Sequence, residues 1–183
     1  MTETPCSEWW SEHRDRVERS DDVRIDVFVR SLGAPTTSQT TQRAVLDRLD
    51  DLEQRDRIDR FTVQVWGDRL YPEERCAELP VGRFLHNKVD EFQRWADAHH
   101  GVDLAFETTI SDPFVGDGTF ECIKLPRICL ATYVEGELSG VVPCRFGGRA
   151  LSVRRYLTAL EELSTDPLPT KGESGSVTTV TGS

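Results

Sequence analysis

"TTSQTTQRAVLDRLDDLEQ", residues 36–54, reads either as one helix or as two short ones meeting at a turn, and the choice decides the fold. Val45, Leu46, Leu49 and Leu52 recur at the spacing of a single helical face. Pro35 precedes the stretch, and Thr36 with Gln39 has the spacing of a capping box. A two-helix DNA-reading unit needs a tight turn, usually with glycine. No glycine falls between Gly33 and Gly67, and no proline follows Pro35 in that interval. The charges from Arg43 to Arg60, five basic and six acidic, form no basic stripe. One unbroken helix through Arg43–Arg57 is predicted.

What flanks it explains what such a helix would do. "VRIDVFVR" (23–30) places Val23, Ile25, Val27 and Val29 on one face, the period of a strand, and Phe28 breaks the polar face as in a strand covered on both sides. "FTVQVW" (61–66) alternates Phe61, Val63 and Val65. Strand, helix, strand in this order implies a parallel pair joined by a right-handed crossover.

Further along, "VGRFLHNKVDEFQRWADAHHG" reads as a second helix burying Leu85, Val89, Phe92 and Trp95, with Gly101 as its stop. Strand patterns follow in "VDLAFETTI" (102–110), "TFECIKL" (119–125), "ICLATYV" (128–134) and "LSGVVPC" (138–144), with turns at "SDPFVGDG" and at Glu135–Gly136. A last helix starts near Ser152 and buries Val153, Tyr156, Leu157, Leu160 and Leu163. The expected fold is α+β: a mixed β-sheet with flanking helices in the order β-α-β-α, β-meander, α, forming a single α/β domain over residues 22–163. Residues 1–21 are a charged N-terminal extension, read either as a short helix with Trp10, His13 and Val17 on one side or as a frayed segment. Residues 164–183, rich in Pro, Gly, Ser and Thr, are expected to be a disordered tail.

Composition narrows the setting. Thirty-two acids face 22 basic residues, only three of them lysines (Lys88, Lys124, Lys171), for a net charge of −10. That bias resembles proteins of salt-loving archaea. At molar salt the Debye length is roughly 3 Å, so an acidic surface says little about partners. The longest uncharged apolar run, "ICLATYV", is too short for a membrane helix, and the N-terminus lacks the apolar core of a signal peptide, so a cytoplasmic protein without membrane contact is expected.

"DVFVRSLGAP", "VQVWG" and "LPRICLATYVEGELSGVVPC" together resemble a family of haloarchaeal proteins catalogued as helix-turn-helix domain proteins, over most of residues 23–163. The resemblance implies a transcription regulator with DNA as partner. The element order also resembles the thioredoxin-like fold, with an extra hairpin before its last third; "LPRICLATYVEGELSGVVP" followed by a helix carries that likeness, which implies a cis-proline at Pro126. Thiol exchange in that fold needs a cysteine at the start of the first helix, where the helix dipole lowers its pKa. "RSLGAPTTSQ" (30–39) contains none, so the catalytic dithiol is missing. What the likeness leaves is a ligand notch between Gly33, Thr36 and Thr37 and the loop Leu125, Pro126 and Arg127, where free N–H groups at a helix start suit an anion.

Five cysteines (Cys6, Cys76, Cys122, Cys129, Cys144) form no C-x-x-C pair. Either register of the predicted hairpin leaves Cys129 and Cys144 on one face, which keeps open a redox pair, a shared metal or two buried thiols. His86, His99, His100 and Cys76 have no metal-site spacing, and no phosphate-binding or nucleophile-elbow motif is present. No cofactor is implied. The expected function is a non-enzymatic regulatory or binding protein, with DNA, a protein partner or a second copy as its partner. The alternative is a thiol-based redox sensor or oxidoreductase-like protein using Cys129 and Cys144.

Overall fold

The computed structural model describes residues 6–33, 36–71, 80–111, 120–163 and Pro167. The expected tail apart from Pro167, the turn at 112–119 and Cys76 lie outside these residues. In chain order the elements are α1 (Cys6–Arg19), β1 (Val23–Val29), α2 (Thr36–Gln54), β2 (Arg60–Val65), β3 (Arg69–Leu70), α3 (Pro80–Ala98), β4 (Val102–Leu104), β5 (Glu107–Ser111), β6 (Phe120–Lys124), β7 (Ile128–Val134), β8 (Glu137–Val142), β9 (Cys144–Phe146), β10 (Arg149–Leu151) and α4 (Val153–Glu162). The class is α+β, as the alternation of periods dictates.

Residues 36–54 form one helix, and β1 and β2 run parallel, with Ile25 opposite Phe61 and Val29 opposite Val65. Helix α2 is therefore the crossover. It ends at Gln54, short of Arg57, because Asp56 turns into the left-handed region (φ 56). Its buried face carries Val45, Leu49 and Leu52. The central sheet has the order β2-β1-β7-β8, with every neighbour but β1–β2 antiparallel. The expected single sheet is instead three, because two three-stranded sheets, β10-β9-β4 and β3-β6-β5, stand beside it.

Register sorts the two faces. Ile25 pairs with Thr132, whose hydroxyl meets Tyr156 of α4 at 2.6 Å, and α4 is tied to α2 by Arg48, which grips the Glu161 carboxylate at 2.8 and 2.9 Å. Phe28, on the opposite face, meets Phe92 of α3 edge-on at 5.6 Å and Trp66 at 5.0 Å. On that face Tyr133 lies between the Arg24 guanidinium (4.5 Å from the ring centre) and the Lys88 ammonium (4.9 Å), and Lys88 donates to the Tyr133 oxygen. Phe28 thus marks a strand covered on both sides.

Four sequence expectations change. "VDLAFETTI" is two strands in two sheets, interrupted at Ala105–Phe106. "LSGVVPC" stops pairing at Val142; Cys144 opens β9, which continues through the Gly147–Gly148 turn into β10. The cis peptide among the described residues is Val142–Pro143, not the bond before Pro126. Leu163 is the left-handed cap of α4 (φ 50) rather than part of its buried face.

The N-terminal segment is a helix and belongs to the core. Trp9, Trp10, His13 and Val17 are all buried. Helix α1 lies against β8, the last strand of the central sheet, and reaches both helical layers: Trp9 meets Trp95 of α3 at 5.5 Å, and Trp10 and His13 meet Tyr156 of α4 at 6.1 and 5.7 Å. A bulge in β8 opposite Thr132–Tyr133 presents Ser139 to this helix. Trp9 Nε1 donates to the Ser139 carbonyl at 3.0 Å, and His13 joins the Ser139 hydroxyl (Nδ1, 2.7 Å) to the Tyr156 hydroxyl (Nε2, 2.7 Å). With Thr132 beyond Tyr156, four buried polar side chains from four elements satisfy one another. Gly140 makes the approach possible: a Cβ there would stand 3.1 Å from His13 Cε1 and 3.3 Å from Trp9.

Two outcomes follow for stability. Gly140→Ala forces apart rings that their own hydrogen bonds hold in place, and should destabilise the protein by about 1–3 kcal/mol, read from denaturant unfolding. Burial above all, with the Arg16 charge adding to it, lowers the His13 pKa from 6.5 to about 3. Acid between those values protonates the unfolded chain and not the folded one. The stabilisation is complete above the window and is lost as pH falls through it, by at most about 1.4 kcal/mol per pH unit. Denaturation midpoints measured across the window should fall more steeply for the wild type than for His13→Asn.

Candidate functional site: the cleft at the strand ends

Parallel strands leave their carboxyl ends side by side, and ligands of α/β sheets bind in the crevice beyond such ends. Here Val29 and Val65 end β1 and β2 together. The next residue after β1, Arg30, fastens the loop that precedes β7: its backbone N–H donates to the Arg127 carbonyl at 3.0 Å and its Nη2 to the Leu125 carbonyl at 3.2 Å. Trp66, just past β2, donates its indole N–H to the Pro126 carbonyl at 3.1 Å, and the Leu125 N–H reaches the Asp68 carbonyl at 2.9 Å. Three successive carbonyls are thus pinned by the ends of the parallel pair.

A cleft of about 330 Å³ opens beside this loop, lined by Arg30, Ala105, Glu107, Lys124, Leu125, Pro126 and Arg127. Three cations face one acid. Lys124 stands 3.8 Å from Glu107, and Arg30 Nε is a buried donor without a hydrogen-bond partner among the described residues. In a chain of net charge −10 this is a local cationic surplus. An oxyanion, carboxylate or phosphate, is the chemical group it suits.

The predicted notch is only partly assembled there. Leu125, Pro126 and Arg127 line the cleft. Gly33 does not: it is exposed, no atom lies within 4 Å of where its Cβ would be, and its N–H donates to Ser31 Oγ at 3.2 Å. Helix α2 begins at Thr36, but the side chains of Thr36 and Thr37 lie outside the described residues. Arg30, Glu107 and Lys124 were missed. The usable signal was Arg30 itself, the charge that ends the apolar run of β1 where it meets the crossover.

Cys129 and Cys144 are free thiols, 0% and 1% exposed. Cys129 pairs across to Phe28 on the α3 face, and Cys144 lies in β9 opposite Leu104 and Leu151, so they are not partners within one hairpin. Burial pushes the Cys144 thiol up to about 12, and burial with the neighbouring Cys144 pushes Cys129 higher still. Thiolate chemistry needs the opposite, a lowered pKa and access. His86 and His99 are bound to the carbonyls of Tyr71 and Trp95, each at 2.7 Å, and no His/Cys/Asp/Glu group that could hold a metal occurs among the described residues. No helix among them is long and apolar enough to cross a membrane.

Among the described residues, helix α2 stands between β1 and β2 rather than beside another helix across a tight turn. A family model described as a helix-turn-helix domain matches residues 17–165. Among curated proteins and among solved structures none matches the chain.

The thiols give a direct test of accessibility. Cys122, Cys129 and Cys144 should resist alkylation in the folded protein and react fully once it is unfolded in denaturant, as peptide mass spectrometry would record; rapid labelling of Cys129 or Cys144 in the native state would contradict the burial described.

Proposed function

The chain belongs to this helix-turn-helix domain family, and from that premise we propose that it is a non-enzymatic, DNA-associated transcription regulator acting in the cytoplasm of a halophilic archaeon. The observation that carries the reading is the family match over residues 17–165, most of the chain. The chemistry of the interior supports the non-enzymatic part, since Cys129 and Cys144 are buried and held protonated. The thiol-based alternative would need a rearrangement that brings one of them to the surface. The strand order β2-β1-β7-β8 supports a thioredoxin-like scaffold used for binding rather than for disulfide exchange.

The mode of contact would differ from two helices laid in a groove. Helix α2 is packed as the crossover, and its exposed positions mix signs, with Arg43 beside Asp47, Asp50 and Asp51. Phosphate contacts fall to arginines, whose planar fork binds an oxyanion at two points, which lysine does not. In a salt-rich cytoplasm counterion release adds little, so recognition rests on contact geometry more than on attraction at a distance.

Gel shifts of genomic fragments at molar potassium chloride, with folding verified by circular dichroism, should give a retarded species. Its absence with folded protein removes the reading. Arg127→Glu together with Lys124→Glu should weaken binding if the cleft receives a phosphate, and should leave the fold unchanged because both side chains are exposed.

A further inference from the structure

We propose that β2 is a self-association edge, and that two copies of this chain join antiparallel along it into one continuous sheet. This inference does not rest on the DNA-associated reading. The central sheet has two outer strands, and they are treated differently. At β8, helix α1 covers the strand with Trp9 and His13, and a bulge at Ser139 interrupts the ladder. At β2 neither device is present among the described residues. The register to β1 is continuous from Arg60 to Val65, and residues 61–65, "FTVQV", contain no proline and no charge. Edge strands are normally blunted by such features, because a flat apolar edge is a template for another strand.

The exposed surface matches that description. Val63 and Val65 are 38% and 46% exposed, although they lie on the face whose partners in β1, Val27 and Val29, are fully buried. The occupant is argued from self-complementarity. Trp66 N–H donates to Val29 O at 3.0 Å, and with Val29 opposite Val65 the alternation of a parallel ladder turns the backbone groups of Thr62 and Gln64 towards β1 and those of Phe61, Val63 and Val65 to the open side. A two-fold axis at Val63 then makes Val63 a hydrogen-bonded pair with its own copy and Phe61 a hydrogen-bonded pair with Val65 in both halves. The same axis sets Thr62 against Gln64. Apolar side chains meet apolar ones, polar meet polar, and no like charges face each other. A two-fold contact must fit its own surface, and this stretch does.

Light scattering coupled to size exclusion in molar potassium chloride tests the proposal on the full chain. The wild type should run at twice its 20.7 kDa mass. Val63→Lys, which sets two ammonium groups against each other at the axis, and Val65→Pro, which removes an outward amide that the monomer does not use, should both run at the single-chain mass with unchanged circular dichroism. Ile110→Lys, at an exposed position of β5, should remain dimeric. A monomeric wild type overturns the proposal, as does a Val63→Lys protein that stays dimeric, or a dimer that only Ile110→Lys dissociates. Should Val65→Pro fail to fold, Val63→Lys at its exposed site decides alone.

Discussion

A neutral histidine inside the core is the constraint on which the remaining arrangement depends. His13 comes from the first helix, yet its two ring nitrogens are taken by Ser139 of β8 and Tyr156 of α4, and Tyr156 passes the chain on to Thr132 of β7. Buried polar atoms without partners are expensive, on the order of 1–3 kcal/mol each. The network therefore specifies positions as well as stabilising them. It sets the depth of α1, draws on the bulge that brings Ser139 inward, and leaves little room for a side chain at position 140. Apolar packing around it, from Trp9, Trp10, Trp95 and Phe146, would tolerate sliding; hydrogen bonds of 2.6 to 2.7 Å do not.

The parts of the fold legible in the sequence were those written in contiguous periodic runs. β1, α2 and β2 follow one another with periods of two, near 3.6 and two, and the intact run from Thr36 to Gln54 left no place for a turn between helices. Phe28 on an otherwise polar face announced the second helical layer that Phe92 supplies. Helix α1 was half-legible: Trp10, His13 and Val17 gave the face, but a charged, acid-rich setting gave no hint that it was a core face. Strands of three residues, such as β9 and β10, carry too few positions for a period to be read. The cleft drew on residues 30, 105, 107 and 124–127, which become neighbours only through sheet pairing, so the loop could be named in advance and its charged rim could not.

The cysteines show how a correct local observation can lose its meaning in three dimensions. Cys129 and Cys144 are close enough for one to raise the other's pKa, yet the chain leaves the central sheet after Val142, and the two residues belong to different sheets. A thiol pair in a hairpin would have been a redox device; two thiols packed among Phe28, Leu104 and Leu151 are small apolar side chains.

The span shared with the helix-turn-helix family opens at residue 17, inside α1 and beyond Trp9, Trp10 and His13. A boundary drawn from that likeness would slice through the hydrophobic interior, stripping Tyr156, Trp95 and Phe146 of the rings that cover them and stranding Ser139.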